Sequence, residues 1–208
     1  MTLTLLTALQ LGDAGFPSGG FAHSWGLETA LRDGRLDRAS LPAWMEVEIC
    51  DRWAPFDRVA LVGAWMRAAS GRAGWADTVD AAYWSETHRQ RSLEAGAALL
   101  VTARRMGLSP LPAEAHLPIA QAALFRAAGL DLVTALAVSA HQAAQTLASA
   151  AVRLNLIGAV AVQAVLRDLR PLLAAAAVPP AADALPTSFA PLSDIALMRP
   201  HADRLFVT

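Results

Sequence analysis

DLVTALAVSAHQAAQTLASAA, residues 131–151, is the run on which the fold turns. From Leu132 to Val152 no side chain carries a formal charge, and apolar residues occupy almost every face of a helical wheel, the pattern of a helix buried on most sides. Asp131 stands where an N-cap belongs. The run is long enough to span a bilayer and the chain's mean hydropathy is positive, so a membrane-associated helical protein is one alternative. Against it, His141, Gln142, Gln145 and several hydroxyl residues interrupt the run, and alanine rather than leucine supplies much of its hydropathy. A core helix at the centre of a bundle is the better reading.

Outward from this run the same character holds. Alternating β patterns are almost absent, and alanine- and leucine-rich stretches dominate, so the expectation is an all-α, single-domain bundle of about eight to ten helices. Toward the N-terminus the helices read as residues 2–11, 20–33 closed by Asp33-Gly34, and a segment capped by Ser40 that carries Pro42 and stops at Pro55. Asp57 is then read as the cap of a helix to about Ala69. Gly71 and Gly74 mark a turn, with a short helix from Asp77 to Trp84 after it. Residues 85–106 form a long helix with an exposed first half, ended by Gly107. Pro110 and Pro112 link it to a helix over 117–128, stopped by Gly129 before Asp131. Beyond a break at Asn155 to Gly158 a last long helix reaches Ala176. The expected organisation is a helical domain over 1–177 and, over 178–208, a Pro/Ala-rich linker with a flexible C-terminal tail that binds a partner.

Composition removes several functions. Seventeen basic against eighteen acidic residues leave a net charge of −1, so there is no basic face for phosphate neutralisation and no nucleic-acid partner is expected. Every basic residue is Arg, which excludes lysine chemistry and the GxxxxGK[ST] loop of P-loop NTPases. One cysteine, Cys50, cannot form an internal disulfide, and no basic n-region opens the chain, so the expected compartment is the cytoplasm. The five histidines show neither HxxxH nor HExxH spacing and Cys50 has no nearby ligand, so no metal cage and no cofactor are expected. No Ser-His-Asp or Cys-His order is readable, which leaves a helical enzyme with a site invisible to sequence as a second alternative.

The stretch richest in chemistry is LQLGDAGFPSGGFAHSWGLETAL, residues 9–31. Pro17, Gly19 and Gly20 read as a tight turn feeding a helix. On a wheel from Phe21, Leu27, Ala30 and Leu31 make a core side, while Phe21, Trp25, Glu28 and Arg32 make a second side that suits a partner. The competing reading is a helix buried on two sides with Glu28 and Arg32 at its rim. The stretch resembles the N-terminal signature of the urease accessory protein UreF family, in Pro17, Gly19, Gly20, Phe21, Ser24, Gly26, Leu27 and Glu28. Glu86 and Thr87 with Gly96 are similar to a second family pattern. Arg153, Gly158 and Gln163 are similar to a third, although Ile157 and Ala159 stand where the family has Pro and Gln. The ending resembles the family's Arg-Leu-Phe in Arg204, Leu205 and Phe206, with a shorter spacing from Arg199.

The resemblance implies a non-enzymatic, all-α scaffold that dimerises, binds UreD (UreH in some organisms), and recruits the GTPase UreG to urease apoprotein, with nickel passing through the assembled complex. His23 and His201 are the histidines to watch beside such traffic. Phe21, Trp25, Glu28, Arg153, Arg204, Leu205 and Phe206 are the candidate partner-binding residues. Arg153 is the one formal charge within 132–166, and such a guanidinium must reach solvent, snorkel from a helix end, or meet a carboxylate.

Overall fold

A computed structural model describes residues 2–19, 24–67 and 72–187, the side chains of Arg72 and Ala73 excepted. The helices are α1 (Thr2–Gly12), α2 (Leu27–Arg32), α3 (Leu41–Val47), α4 (Arg58–Met66), α5 (Arg72–Ala81), α6 (Glu86–Arg105), α7 (Leu117–Ala127), α8 (Leu132–Arg153) and α9 (Ala159–Ala176). A π-helical stretch, Glu48–Asp57, joins α3 to α4. Among the described residues there is no strand, so the protein is all-α.

α8 lies at the centre, packed against α1, α2, α4, α7, α9 and the π-helical stretch. Six of its alanines (Ala135, Ala140, Ala144, Ala148, Ala150 and Ala151) and Leu136 and Leu147 are buried, because small side chains let neighbours approach on several sides at once. Asp131 caps it as expected, its carboxylate accepting from the Thr134 N–H at 2.9 Å. The far end closes on Asn155 in the left-handed region (φ 55), where Asn155 N donates to the Val152 carbonyl and Leu156 N to that of Ala151. One continuous apolar core runs from Leu11 to Ala177.

Five sequence expectations are corrected. The expected helix over 20–33 is not continuous: α2 begins at Leu27, and the described residues just before it are not helical, because Trp25 (φ 50) and Gly26 (φ 83) both hold positive φ. Pro55 does not stop a helix: it lies inside the π-helical stretch, where the wider turn relieves the clash of its ring with the carbonyl four residues back. Asp57 consequently caps nothing, and its carboxylate goes to Arg52. Gly74 is helical, and α5 starts at Arg72, since Trp75 anchors it by donating Nε1–H to the Ala60 carbonyl at 2.9 Å. The first half of α6 is only half exposed, with His88 and Ser92 buried.

At the other end, residues 178–187 lie against the bundle instead of running free. Arg58 Nη1 donates to the carbonyls of Ala176 and Val178, Thr187 N donates to the Pro55 carbonyl, and Pro179, Pro180, Ala181, Ala182 and Ala184 line a pocket together with Val59, Val62 and Leu132. Residues 188–208 lie outside the described residues.

Candidate partner-binding site

Within the N-terminal motif, residues 13–19 are clasped onto the bundle, and residues 24–26 lead into α2. Asp13 begins it: its carboxylate accepts from Gly15 N at 2.7 Å and its carbonyl from Phe16 N at 3.0 Å. Gly19 (φ 81) then lies on the backbone of α6 at Ala95, where a Cβ would overlap the Ala95 carbonyl. Thr102 donates its hydroxyl to the Pro17 carbonyl at 3.3 Å. Upstream, Gln142 Nε2 donates to the Leu11 carbonyl at 2.6 Å. That amide ends a buried chain in which Trp53 donates to Ser139, Ser139 to Gln121, and Gln121 to Gln142, at 2.8 to 3.0 Å.

Trp25 closes the loop, half-buried, and its ring meets two groups from the core. The Arg52 guanidinium lies 4.9 Å from its centroid and the His88 ring meets it edge-on at 5.3 Å. Arg52 is itself buried between two acids, with Nε donating to Glu48 at 2.7 Å and Nη1 to Asp57 at 2.5 Å. The π turn makes this possible. At 100° per residue an α-helix would put Asp57 on the face opposite Glu48, whereas the i to i+5 repeat brings Asp57 round to Arg52. Burial works against the guanidinium's charge, but Asp57 and Glu48 outweigh it and hold the Arg52 pKa above its ordinary value. Burial pushes the Asp57 carboxyl up, and Arg52 only partly offsets it. Beneath them a cavity of about 30 Å³ is lined by Ser18, Trp25, Arg52, Asp57, Gln142 and Thr146.

Behind Trp25 the aromatic contacts continue from His88 to Tyr83 and from Tyr83 to Phe56 and His116. Tyr83 donates to Ser92 at 2.7 Å, and burial pushes its hydroxyl far above the usual tyrosine range. His116 donates Nε2–H to Asp80 at 2.9 Å. Burial lowers its pKa against the pull of that carboxylate. Gly96 lets this side close, since a Cβ there would collide with the Ala115 carbonyl.

The candidate residues therefore divide. Glu28 is buried, 1% exposed, and accepts from Arg32 Nη2 at 3.1 Å, so it is an ion-pair member of α2 rather than part of an open surface, close to the competing sequence reading. Trp25 is stacked into the bundle on one face and is not on α2 at all. Arg153 is half-buried in the last turn of α8, and burial lowers its guanidinium pKa. It is seven residues, about 10 Å along the axis, beyond Thr146 in the cavity under Trp25. Phe21, Arg204, Leu205 and Phe206, with His23 and His201, lie outside the described residues. Sequence reasoning missed Arg52, Glu48, Asp57, Tyr83, His88 and His116. The i,i+4 spacing of Glu48 and Arg52 was the available signal, and reading Pro55 as a stop hid the second acid, Asp57, beyond it. Among the described residues no three His, Cys, Asp or Glu side chains converge as a metal site, and no helix is long and apolar enough to cross a membrane.

The UreF family model matches residues 36–170. The urease accessory protein UreF of Cereibacter sphaeroides (strain ATCC 17029) is 32% identical over 214 residues, covering all of both chains. The chain belongs to the UreF family. The UreF of Rhizobium leguminosarum bv. viciae is 34% identical over 201 residues, 92% of this chain and 90% of that one. The UreF of Mesorhizobium japonicum is 33% identical over 182 residues, 82% and 79% of the two. UreF proteins are urease accessory proteins, a family of helpers rather than catalysts.

Proposed function

We propose that the protein is a cytoplasmic, non-catalytic scaffold of urease maturation that binds a UreD (UreH) partner and, with it, recruits the GTPase UreG to urease apoprotein. Nickel is the cargo of that assembly rather than a cofactor of this chain. Membership of the UreF family along the whole chain is the observation that carries the reading. It is supported by the way Leu11, Pro17 and Trp25 are held to α8, α6 and the π-helical stretch, which offers a partner preorganised points on either side of residues 20–23. Self-association is supported by α1, whose Leu3, Leu5, Leu6 and Leu9 are exposed beside Val133 of α8, an apolar face that a dimer would cover.

Size-exclusion chromatography of the purified protein with UreD and then UreG from a urease operon tests this. Co-elution with UreD, and with UreG only when UreD is present, is the expected result. A protein that passes both partners by overturns the reading.

A further inference from the structure

Trp25 is a large residue held at φ 50, a backbone region that bulky L-residues avoid. Something must hold it there. The ring rests on the Arg52 guanidinium at 4.9 Å and against the His88 edge at 5.3 Å. Arg52 cannot swing away, because Glu48 takes Nε and Asp57 takes Nη1, and only the π-helical turn lets one guanidinium reach both acids. The planar group is thus presented to the indole as a fixed floor. Gly26 follows with φ 83 and α2 starts at Leu27, so the entry angle of α2 is set at this residue.

We infer that Arg52 is a positioning residue for partner binding: from within the bundle it holds Trp25 in the conformation that shapes the end of the N-terminal loop. This rests on the proposed function, that the protein binds a UreD-type partner, and takes that partner as the one that meets the N-terminal loop. Arg52 itself is buried, 7% exposed, so its effect on binding travels through Trp25 rather than through a contact of its own.

The test uses Arg52→Lys, which keeps the charge but not the fork or the flat face, with Trp25→Leu and the double variant. Two quantities are read: the Trp25 indole ¹H–¹⁵N resonance, assigned by its loss in Trp25→Leu, and UreD affinity by calorimetry. Expected is a shifted Trp25 resonance and about fivefold weaker UreD binding in Arg52→Lys, with no further loss when Arg52→Lys is added to Trp25→Leu. An unmoved Trp25 resonance overturns the positioning role. A penalty of Arg52→Lys that persists in the Trp25→Leu background also overturns it, since the effect then bypasses the indole. A shifted resonance with wild-type affinity in both single variants overturns instead the reading that this loop meets UreD. Should Arg52→Lys fail to fold, Glu48→Gln is read in its place. It loosens one side of the same guanidinium, and the same outcomes decide.

Discussion

His116 shows how one buried side chain ties stability to pH. It is 3% exposed, its Nε2–H goes to Asp80, and its Nδ1 has no hydrogen-bond partner among the described residues. Its folded pKa lies below the ordinary value of 6.5, so the unfolded chain binds the proton more readily. The stability it contributes is therefore present above about pH 6.5 and is lost as pH falls from there toward the depressed folded value. Thermal midpoints measured between pH 7.5 and 5.5 should fall with acid, and His116→Gln should flatten that slope. An identical slope in the variant would assign the acid sensitivity elsewhere. Arg153 makes the opposite kind of residue prediction, about binding rather than folding. We assign this candidate partner-binding residue to the surface that receives UreG, so Arg153→Ala should leave the melting midpoint and the UreD complex intact and weaken UreG recruitment by about 1–3 kcal/mol. Unfolding, or unchanged recruitment, would make the residue structural or idle.

Among the elements, two aspartates that look alike in sequence do different work. Asp131 precedes an apolar run and caps α8, so Asp131→Ala should cost about 1 kcal/mol. Asp57 precedes one too, yet it neutralises buried Arg52, and Asp57→Ala should cost about 3 kcal/mol by stranding that charge between fewer partners. Urea denaturation of the two variants separates these cases, and equal losses would mean the ion pair contributes no more than a cap. The contrast also says what was legible in the sequence. α7, α8 and α9 and the stops at Gly107, Gly129 and Asn155 were readable because their determinants, periodicity and turn chemistry, are local. The π-helical stretch was not. Its register depends on Arg52 reaching Asp57, a contact that the wider turn itself creates, and on Trp53 reaching Ser139, a contact that exists only once α8 is in place. Gly74 failed for the same reason, since Trp75 holds α5 against α4 at a cost in helix propensity.

For the whole molecule, the segment after α9 divides at residue 187. Residues 178–187 add contacts to α4 and the π-helical stretch, whereas Arg204, Leu205 and Phe206 were assigned to the tail by resemblance. Deleting 199–208 should abolish UreD binding while leaving helix content and thermal midpoint nearly unchanged. Deleting 178–208 should additionally lower the midpoint, because it removes the acceptor that Val178 offers Arg58 and the hydrogen bond from Thr187 N to the Pro55 carbonyl. Equal melting of both truncations would show that the packed segment adds nothing to stability. The partner surface was the least legible feature of the sequence. The wheel from Phe21 assumed an uninterrupted helix, and the positive φ of Trp25 and Gly26 breaks that wheel just where the second face was drawn.

The chain of buried amides and hydroxyls from Trp53 through Ser139, Gln121 and Gln142 to Leu11 has a consequence for uniqueness. α8 is lined with alanines, and a rod so smooth offers its neighbours nearly equivalent seats one turn, about 5.4 Å, apart. Only in one seat do all the donors of this chain find acceptors. Sliding by a turn would keep most of the apolar contact and orphan the polar atoms inside it. The glutamines thus act as a key cut into an otherwise featureless shaft, selecting one alignment of α1, α7 and α8 among near-equals.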